Sequence, residues 1–403
     1  MGVFRDLQRT PGVFRILISQ LTAKFPIGML SIVIMLHVEK IYGDYTSAGL
    51  ILAFASVGQG IAGPLTSRWM GHWGMRPVLI LTSTVSASAM TAIALLSVPL
   101  MVIAVLALIM GLTTPPVTSS VRTIYPKLVP GRQIAPLFSL DAALQEVIWI
   151  VGPVLAVFLS ATISTEVGLL TAVGFMILGG AWFITAPELG KVRIPKSRRR
   201  LGAVLTRPTV LISTLIGFFF IASFAALEIS IVSIFGHDGV ESGIVLAFFA
   251  LGSLVGGVTI GRREPSSWSL ALRSTGILAG ISLTLFSPNI WWLSFVLFLG
   301  GIGTAPMFSA LFTMVSSTVK FSETAESYGW LQTGHLIGAA IGSALAGVAI
   351  DAFESNGGIV ISILFLLVTV FLSVITSRWI PDLRGRDASP IPDTDPIMMP
   401  ETL

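Results

Sequence analysis

Twelve long, mostly apolar stretches follow one another along the chain of 403 residues. A helix needs ~20 such residues to cross the hydrocarbon of a bilayer. Only 11% of the residues are charged and 54% are hydrophobic, whereas a water-soluble protein of this size needs a far more polar surface. The sequence therefore predicts an all-α membrane protein with twelve transmembrane helices. The predicted spans lie near 14–36, 46–67, 77–97, 99–121, 135–160, 164–186, 208–235, 242–261, 268–286, 290–316, 324–350 and 357–379.

The basic residues indicate which side of the membrane each loop occupies. If the N-terminus is cytoplasmic, all but two of the 24 Lys and Arg residues lie on the cytoplasmic side. Lys24 lies within the first span and Lys40 lies outside, while Arg122 and Arg132 fall in the loop between the fourth and fifth spans. Cytoplasmic loops carry such an excess of Lys and Arg. We therefore expect a multi-pass protein of the cell membrane with both termini cytoplasmic and no nucleic-acid partner.

Several kinds of chemistry have no signature in the sequence. There are no cysteines, and the four histidines show no metal-ligand spacing. The phosphate-binding pattern G-x-x-x-x-G-K-[ST] does not occur either. Neither a nucleophile–base set nor a metal cluster lies near a membrane interface. We therefore expect no metal, no cofactor and no enzymatic activity, and short loops count against a receptor or scaffold.

Two parts of the chain resemble each other in sequence. "GLILAFASVGQGIAGPLTSR" from Gly49 and "GIVLAFFALGSLVGGVTIGR" from Gly243 are identical at seven of twenty positions, with an offset of 194. Further on, an offset of 190 places "GLTTPP" from Gly111 over "GIGTAP" from Gly301. Several matches in the same order indicate a duplication. The predicted organisation is a six-helix half at 1–186, a basic cytoplasmic linker at 187–207, a second six-helix half at 208–380 and a disordered cytoplasmic tail at 381–403.

The loop between the second and third spans carries a family signature. The stretch "SRWMGHWGMRP" begins at Ser67, and the loop motif of the major facilitator superfamily runs roughly G-x-x-x-D-[RK]-x-G-[RK]-[RK]. The matching or basic positions, taken as a gating loop, are Arg68, His72, Gly74 and Arg76. The family's acidic residue, which helps tie the loop to the opposite half, is replaced by Gly71. The chain resembles this superfamily, which implies two pseudo-symmetric six-helix halves that alternate access to a central cavity.

The fifth span gives a narrower, partial resemblance to drug–proton antiporters. It retains Gly152 and Pro153 of their glycine-rich stretch, although Ala107 occupies the position of their arginine in the fourth span. This resemblance implies proton-coupled efflux of an amphiphilic small molecule. Import of a sugar or another small metabolite is the alternative, but aromatic and amide side chains are sparse at the expected cavity depth. The expected partners are the substrate, a coupling proton or ion, and the lipid bilayer.

Ionisable side chains within the spans are the candidates for coupling and substrate binding. A charge at the bilayer centre costs ~2.5–3.5 kcal/mol, so such residues normally face a cavity or a partner. The repeat places His335 over Gln145, which adds two polar candidates. The set is Lys24, Asp141, Gln145, Glu146, Glu228 and His335.

Two pairs are expected from the way spans pack in the resembled family: Lys24 with Glu146 or Asp141, and His335 with Glu228. The sharper hypothesis is that Glu146 pairs with Lys24 when ionised and is released when protonated. A structural clamp is the alternative. Helix bends are expected at Pro115, Pro116, Gly152, Pro153 and Pro306.

The topology can be tested directly. Reporter fusions at Arg199, in the linker, should report a cytoplasmic location, because nearly all Lys and Arg lie on that face. An external location for Arg199 would contradict the number of spans.

Overall fold

A computed structural model describes residues 7, 9–195, 200–235 and 240–393. Almost all of this part of the chain is helical, because a helix satisfies its own backbone hydrogen bonds where no water is available. Arg198 and Arg199 of the basic linker lie outside the described residues.

The N-terminal helices come first. They are α1 (Val13–Lys24), α2 (Pro26–Tyr42), α3 (Tyr45–Trp73), α4 (Met75–Leu95), α5 (Leu100–Leu112), α6 (Val117–Leu128), α7 (Gly131–Thr162), α8 (Thr165–Thr185) and the short α9 (Pro187–Lys191).

The C-terminal helices follow a 3₁₀ turn at Ala203–Thr206. They are α10 (Pro208–Phe235), α11 (Val240–Thr259), α12 (Ser269–Ser282), α13 (Ile290–Gly301), α14 (Thr304–Thr318) and α15 (Phe321–Ile375).

Within the described residues, eleven helical stretches are long and apolar enough to cross a membrane. The last of them, α15, has 55 residues and is interrupted by non-helical backbone at Phe353 and Glu354. The chain reverses there, since a Cβ placed on Gly357 would lie 2.1 Å from the carbonyl oxygen of Ala349. Each part of α15, 321–352 and 355–375, exceeds the ~20 residues that a span needs. The break lies where the sequence placed the loop between the last two spans.

Prolines lie at or near the interruptions of three other spans. Pro26 begins α2 directly after α1, and Pro115 and Pro116 lie in the non-helical connection between α5 and α6. Pro306 lies in the first turn of α14, just after the break that separates it from α13. Pro153 lies inside the unbroken α7.

The sequence repeat corresponds to a repeated helix crossing. A Cβ on Gly111 would lie 2.2 Å from the carbonyl oxygen of Ala55, and one on Gly301 would lie 2.2 Å from that of Phe249. Ala55 and Phe249 are themselves related by the offset of 194. The crossing of α3 with α5 is therefore reproduced, position for position, by the crossing of α11 with α13.

A second crossing is repeated in the same way. A Cβ on Gly152 in α7 would lie 2.8 Å from the backbone of Gly28, and one on Gly342 in α15 would lie 2.1 Å from the carbonyl oxygen of Ala222. Gly28 and Ala222 are related by the offset of 194, and Gly152 and Gly342 are related by the offset of 190. Gly152 thus lies at a helix contact that requires the absence of a side chain.

The expectation of disorder over 381–403 requires a correction for residues 381–393. Leu383 is buried, and its amide donates to the carbonyl of Pro265 (3.1 Å). Ile391 exchanges backbone hydrogen bonds with the residues flanking Lys320. The segment is held because its apolar side chains and backbone groups find partners at the ends of the C-terminal helices. Residues 394–403 lie outside the described part of the chain.

The repeated crossing predicts where a single methyl group is not tolerated. Gly111→Ala and its counterpart Gly301→Ala should each destabilise the protein by about 1–3 kcal/mol through overpacking, seen as a lower melting temperature in detergent. Gly174→Ala is the matched control, since a Cβ there would meet no atom within 4 Å. An equal melting temperature for all three variants would contradict the close crossing.

Candidate functional site

The centre of the site is Asp141, which is completely buried in α7. Its carboxylate accepts hydrogen bonds from Gln20 Nε2 (2.7 Å), Tyr125 Oη (3.1 Å) and Gln145 Nε2 (3.2 Å). The donors come from α1, α6 and α7. Gln20 and Lys24 are four residues apart on α1, as Asp141 and Gln145 are on α7, so each pair lies on one helix face. The three helices are therefore joined around one carboxylate.

Lys24 and Glu146 have different partners, which corrects the expected ion pair between them. Lys24 Nζ donates to Gln145 Oε1 (3.4 Å) and interacts electrostatically with Asp141. Glu146 instead accepts from Ser253 Oγ (2.8 Å), on α11. Successive residues of a helix are about 100° apart around its axis, so Glu146 faces away from the side that carries Gln145. The alternative pairing of Lys24 with Asp141 is the one that the structure supports.

Arg122 belongs to the same buried group, although the sequence placed it in a loop. It lies in α6 with only 4% of its surface exposed, and it interacts electrostatically with Asp141. Its guanidinium lies over the ring of Phe312, 3.4 Å from the centroid. Its Nε and Nη1 atoms are buried without a hydrogen-bond partner in the described part of the chain. The site thus contains two cations, Lys24 and Arg122, around one carboxylate.

The expected pair of His335 with Glu228 is also wrong. His335 lies against Gly217 of α10 and contacts the rings of Phe308 and Phe312 edge-on or tilted. Glu228 is eleven residues further along α10, about 16 Å away by the rise of a helix, and its side chain is exposed. The sequence places both residues within spans, but it does not show how far apart they lie along the helices.

The C-terminal helices carry aromatic rings where the N-terminal ones carry charge. Phe220 lies 4.8 Å from Phe224 and 5.3 Å from Phe308, and Phe224 lies 4.9 Å from Phe249. These rings come from α10, α11 and α14, and Phe249 lies one helical turn before Ser253, the partner of Glu146. The expectation that aromatic residues would be sparse in the interior is therefore wrong for this side of the molecule.

The two groups of helices meet on the side of the membrane where α3 ends and α10 begins, which we call the basic face. Ser139 Oγ donates to the carbonyl of Gly257 (3.0 Å), and a Cβ on Gly63 would lie 2.9 Å from the carbonyl oxygen of Gly329. These two contacts are equivalent, because the offset of 194 relates Gly63 to Gly257 and the offset of 190 relates Ser139 to Gly329. By contrast, the main contacts of α2 and α10 are with helices of their own group. The halves are thus joined at the basic face.

An aromatic layer seals this junction. Phe138 and Tyr328 lie 6.2 Å apart between ring centroids, and they are counterparts under the offset of 190. Arg122 and Phe312, which stack on each other, are counterparts as well. Equivalent residues that touch each other must lie beside the pseudo-two-fold axis. The aromatic layer therefore fills the junction between the two groups of helices beside the pseudo-two-fold axis.

The candidate gating loop contributes one ion pair across the junction. Arg68 Nη1 lies 3.6 Å from Glu326 Oε2 of α15, and Glu326 also accepts from the amide of Gly202 (2.7 Å). Arg76 instead donates to the carbonyl of Ala186 (3.2 Å), within the N-terminal helices. The loop thus forms an ion pair with the opposite group of helices through Arg68, although Gly71 replaces the acidic residue of the family motif.

The other two loop residues shape the turn. Gly74 has a φ of 90°, a backbone conformation that favours glycine, and it separates α3 from α4. His72 is exposed, and its Nδ1 lies 3.2 Å from the carbonyl oxygen of Arg68. Both residues therefore support the position of the loop without reaching the opposite half.

Comparison with known families identifies the class of protein. The model of the Major Facilitator Superfamily matches residues 16–272 and 258–397. The chain therefore belongs to this superfamily and is a multi-pass membrane protein with a transporter fold, which confirms the resemblance seen in its loop motif. No curated protein sequence matches the chain significantly.

Solved structures share the fold over nearly the whole chain. The human organic anion transporter MFSD10 (TETRAN) is 16% identical, with a TM-score of 0.68, covering 90% of this chain and 98% of that one. A bacterial homologue of the iron transporter ferroportin in an outward-facing state is 12% identical, with a TM-score of 0.72, covering 91% and 98%. The proton:xylose symporter XylE, bound to 6-bromo-6-deoxy-D-glucose, is 12% identical, with a TM-score of 0.70, covering 94% and 98%. At these identities the likeness is one of fold.

The ion pair across the junction predicts how the basic face opens. In the cysteine-free chain, Ser139→Cys provides a thiol at the closed junction. Adding Arg68→Gln should raise its rate of labelling from the basic face about fivefold, since a partly buried ion pair contributes about 1 kcal/mol.

The matched control is Arg76→Gln, which removes the same charge from the same loop without touching the opposite half. It should leave the labelling rate of Ser139→Cys unchanged. Equal rates in the two variants would mean that the loop arginines act only on topology.

Proposed function

We propose that the chain is a secondary transporter of the cell membrane that exports an amphiphilic small molecule in exchange for protons. Two six-helix halves, at 1–186 and 208–380, alternate access to a site between them, and the protein has no catalytic role. The observation that carries this proposal is Glu146, a carboxyl group placed between the halves and bonded to Ser253 across them.

The conformation supports alternating access. If the basic face is cytoplasmic, as the distribution of Lys and Arg indicates, the junction at Ser139, Phe138 and Arg68 is a closed cytoplasmic gate. Toward the outside, the first and seventh spans, which contain α2 and α10, make their main contacts within their own halves. This is the outward-facing arrangement, which fits the TM-score of 0.72 with a structure solved in that state.

Glu146 is better suited to carry a proton than Asp141. Protonation of Asp141 would leave Lys24 and Arg122 buried without their carboxylate, which is costly. Within the described part of the chain, Glu146 has only the hydroxyl of Ser253 as a recorded polar partner. It can therefore gain or lose a proton without breaking an ion pair. Its protonation would alter the hydrogen bond to Ser253, which joins the two halves. Asp141, Lys24 and Gln145 position the N-terminal helices around it.

The interior favours an amphiphilic substrate over a sugar. Sugar recognition needs many free hydrogen-bonding groups, but the Nε2 groups of Gln20 and Gln145 already donate to Asp141. The rings around Phe224 and Phe308 instead offer an apolar and polarisable surface to a planar or cationic group. The substrate would lie between this surface and Glu146.

Glu146→Gln tests the proposal in proteoliposomes. The substrate is the first member of a panel of fluorescent amphiphiles that the wild type concentrates on an imposed pH gradient. The variant should lose gradient-driven accumulation and keep substrate exchange at equal protein level, because only the proton step is removed.

Glu228→Gln is the matched control, since it removes a second glutamate of the spans that lies away from the junction. It should retain accumulation. If Glu146→Gln still concentrates the amphiphile, the proton site lies elsewhere, and loss in Glu228→Gln alone would assign it to that residue.

A further inference from the structure

We propose that an arginine-lined cavity at the basic face binds the headgroup of an anionic phospholipid. The cavity lies between the start of α7 and the connection from α11 to α12, so it joins an N-terminal helix to the C-terminal ones. It has a volume of about 1000 Å³.

The cavity has an excess of positive charge. Its charged lining consists of Arg132, Arg262, Arg263, Arg273, Arg384 and Glu264. Glu264 accepts a hydrogen bond from the amide of Gly385 (2.6 Å), and Arg384 pairs with Asp382 (2.6 Å). The other four arginines have no carboxylate within ion-pair distance among the described residues. Within the described residues, Arg273 donates to the carbonyl of Pro306.

The internal repeat shows which groups the cavity lacks. On the opposite side of the pseudo-two-fold axis, Arg68 pairs with Glu326 (3.6 Å) and Arg207 pairs with Glu323 (3.5 Å). The offset of 194 places Arg262 at the position of Arg68.

The offset of 190 gives the counterparts of the two carboxylates. Glu326 corresponds to Pro136, and Glu323 corresponds to Gln133. The arginine equivalent to Arg68 is thus kept in the cavity as Arg262, whereas Arg207 corresponds to Val13 and both acids are replaced by neutral residues. An anion from outside the chain would restore the balance that the opposite side has within the chain.

The walls of the cavity favour a lipid as the source of that anion. Leu272 is 70% exposed and Leu299 is 42% exposed, both on spans and both lining the cavity. These surfaces face the bilayer, where acyl chains would cover them, and basic pockets between transmembrane helices at the cytoplasmic side suit anionic headgroups. Gln133 Oε1 is buried and has no donor among the described residues, so it can accept a headgroup hydroxyl.

Such a lipid would act on the conformational equilibrium. Its phosphate would contact Arg132, next to the first residue of α7, together with Arg262 after α11. It would then hold the closed basic face on this side, as the pair of Arg68 with Glu326 does on the other. Binding requires no transport, so it can be tested independently of the proposed substrate and coupling.

The experiment compares retention of phosphatidylglycerol and phosphatidylcholine by the purified full chain, measured by native mass spectrometry. The wild type should retain phosphatidylglycerol preferentially. Arg262→Gln/Arg263→Gln should weaken this retention roughly tenfold, since each arginine near the membrane contributes to the attraction. Arg193→Gln/Arg378→Gln removes the same charge from exposed positions of the basic face that do not line the cavity, and it should retain the lipid like the wild type.

Two outcomes would overturn the proposal. Equal loss of phosphatidylglycerol in both double variants would mean that net charge alone attracts the lipid. Displacement of the lipid by an equimolar amount of inorganic phosphate would mean that the cavity binds a soluble anion and that its apolar walls contribute nothing.

Discussion

A buried carboxylate that balances two buried cations holds the N-terminal helices together. Asp141 has no contact with solvent, and Lys24 and Arg122 would be left as uncompensated charges in an apolar surrounding without it. Breaking such a group by removing one partner costs ~3–5 kcal/mol. Since α1, α6 and α7 each contribute a member, they are forced to move as one body. We therefore expect these three helices to stay together during any large movement of the protein.

The two groups share a backbone plan but not a chemistry. Under the repeat, Asp141 corresponds to Leu331 and Lys24 corresponds to Phe218. The charged centre of one half is thus replaced in the other by apolar and aromatic side chains, while the glycine crossings at Gly111 and Gly301 are unchanged. Both groups keep glycine at the close crossings, because a close crossing tolerates no side chain. The interior has no such constraint, and it is charged in one group and apolar in the other.

Much of the fold follows from the sequence, since hydropathy locates the spans and the repeat locates matching crossings. The polar site is harder to predict, because its partners are set by rotation about helix axes and by contacts between distant spans. Arg122 lies near the end of a hydrophobic stretch, so the sequence predicts a loop position for it, although its partner Phe312 lies on a helix of the other half. The composition of the tail predicts disorder, because composition does not show that Leu383 has a buried position against the helices.

The position of Arg122 on the pseudo-two-fold axis makes the junction sensitive to water. While the basic face is closed, the guanidinium is compensated by the ring of Phe312 and by the charge of Asp141. Opening would separate the halves, remove the ring and admit water, and hydration of the guanidinium would then offset much of the lost cation–π attraction. Two apolar side chains at this position would gain no hydration free energy on opening, so they would favour the closed state. Arg122 and Phe312 occupy equivalent positions beside the axis, and an arginine at one of them reduces the difference in free energy between the open and closed states. A small difference is needed if a transporter is to populate both states in each cycle.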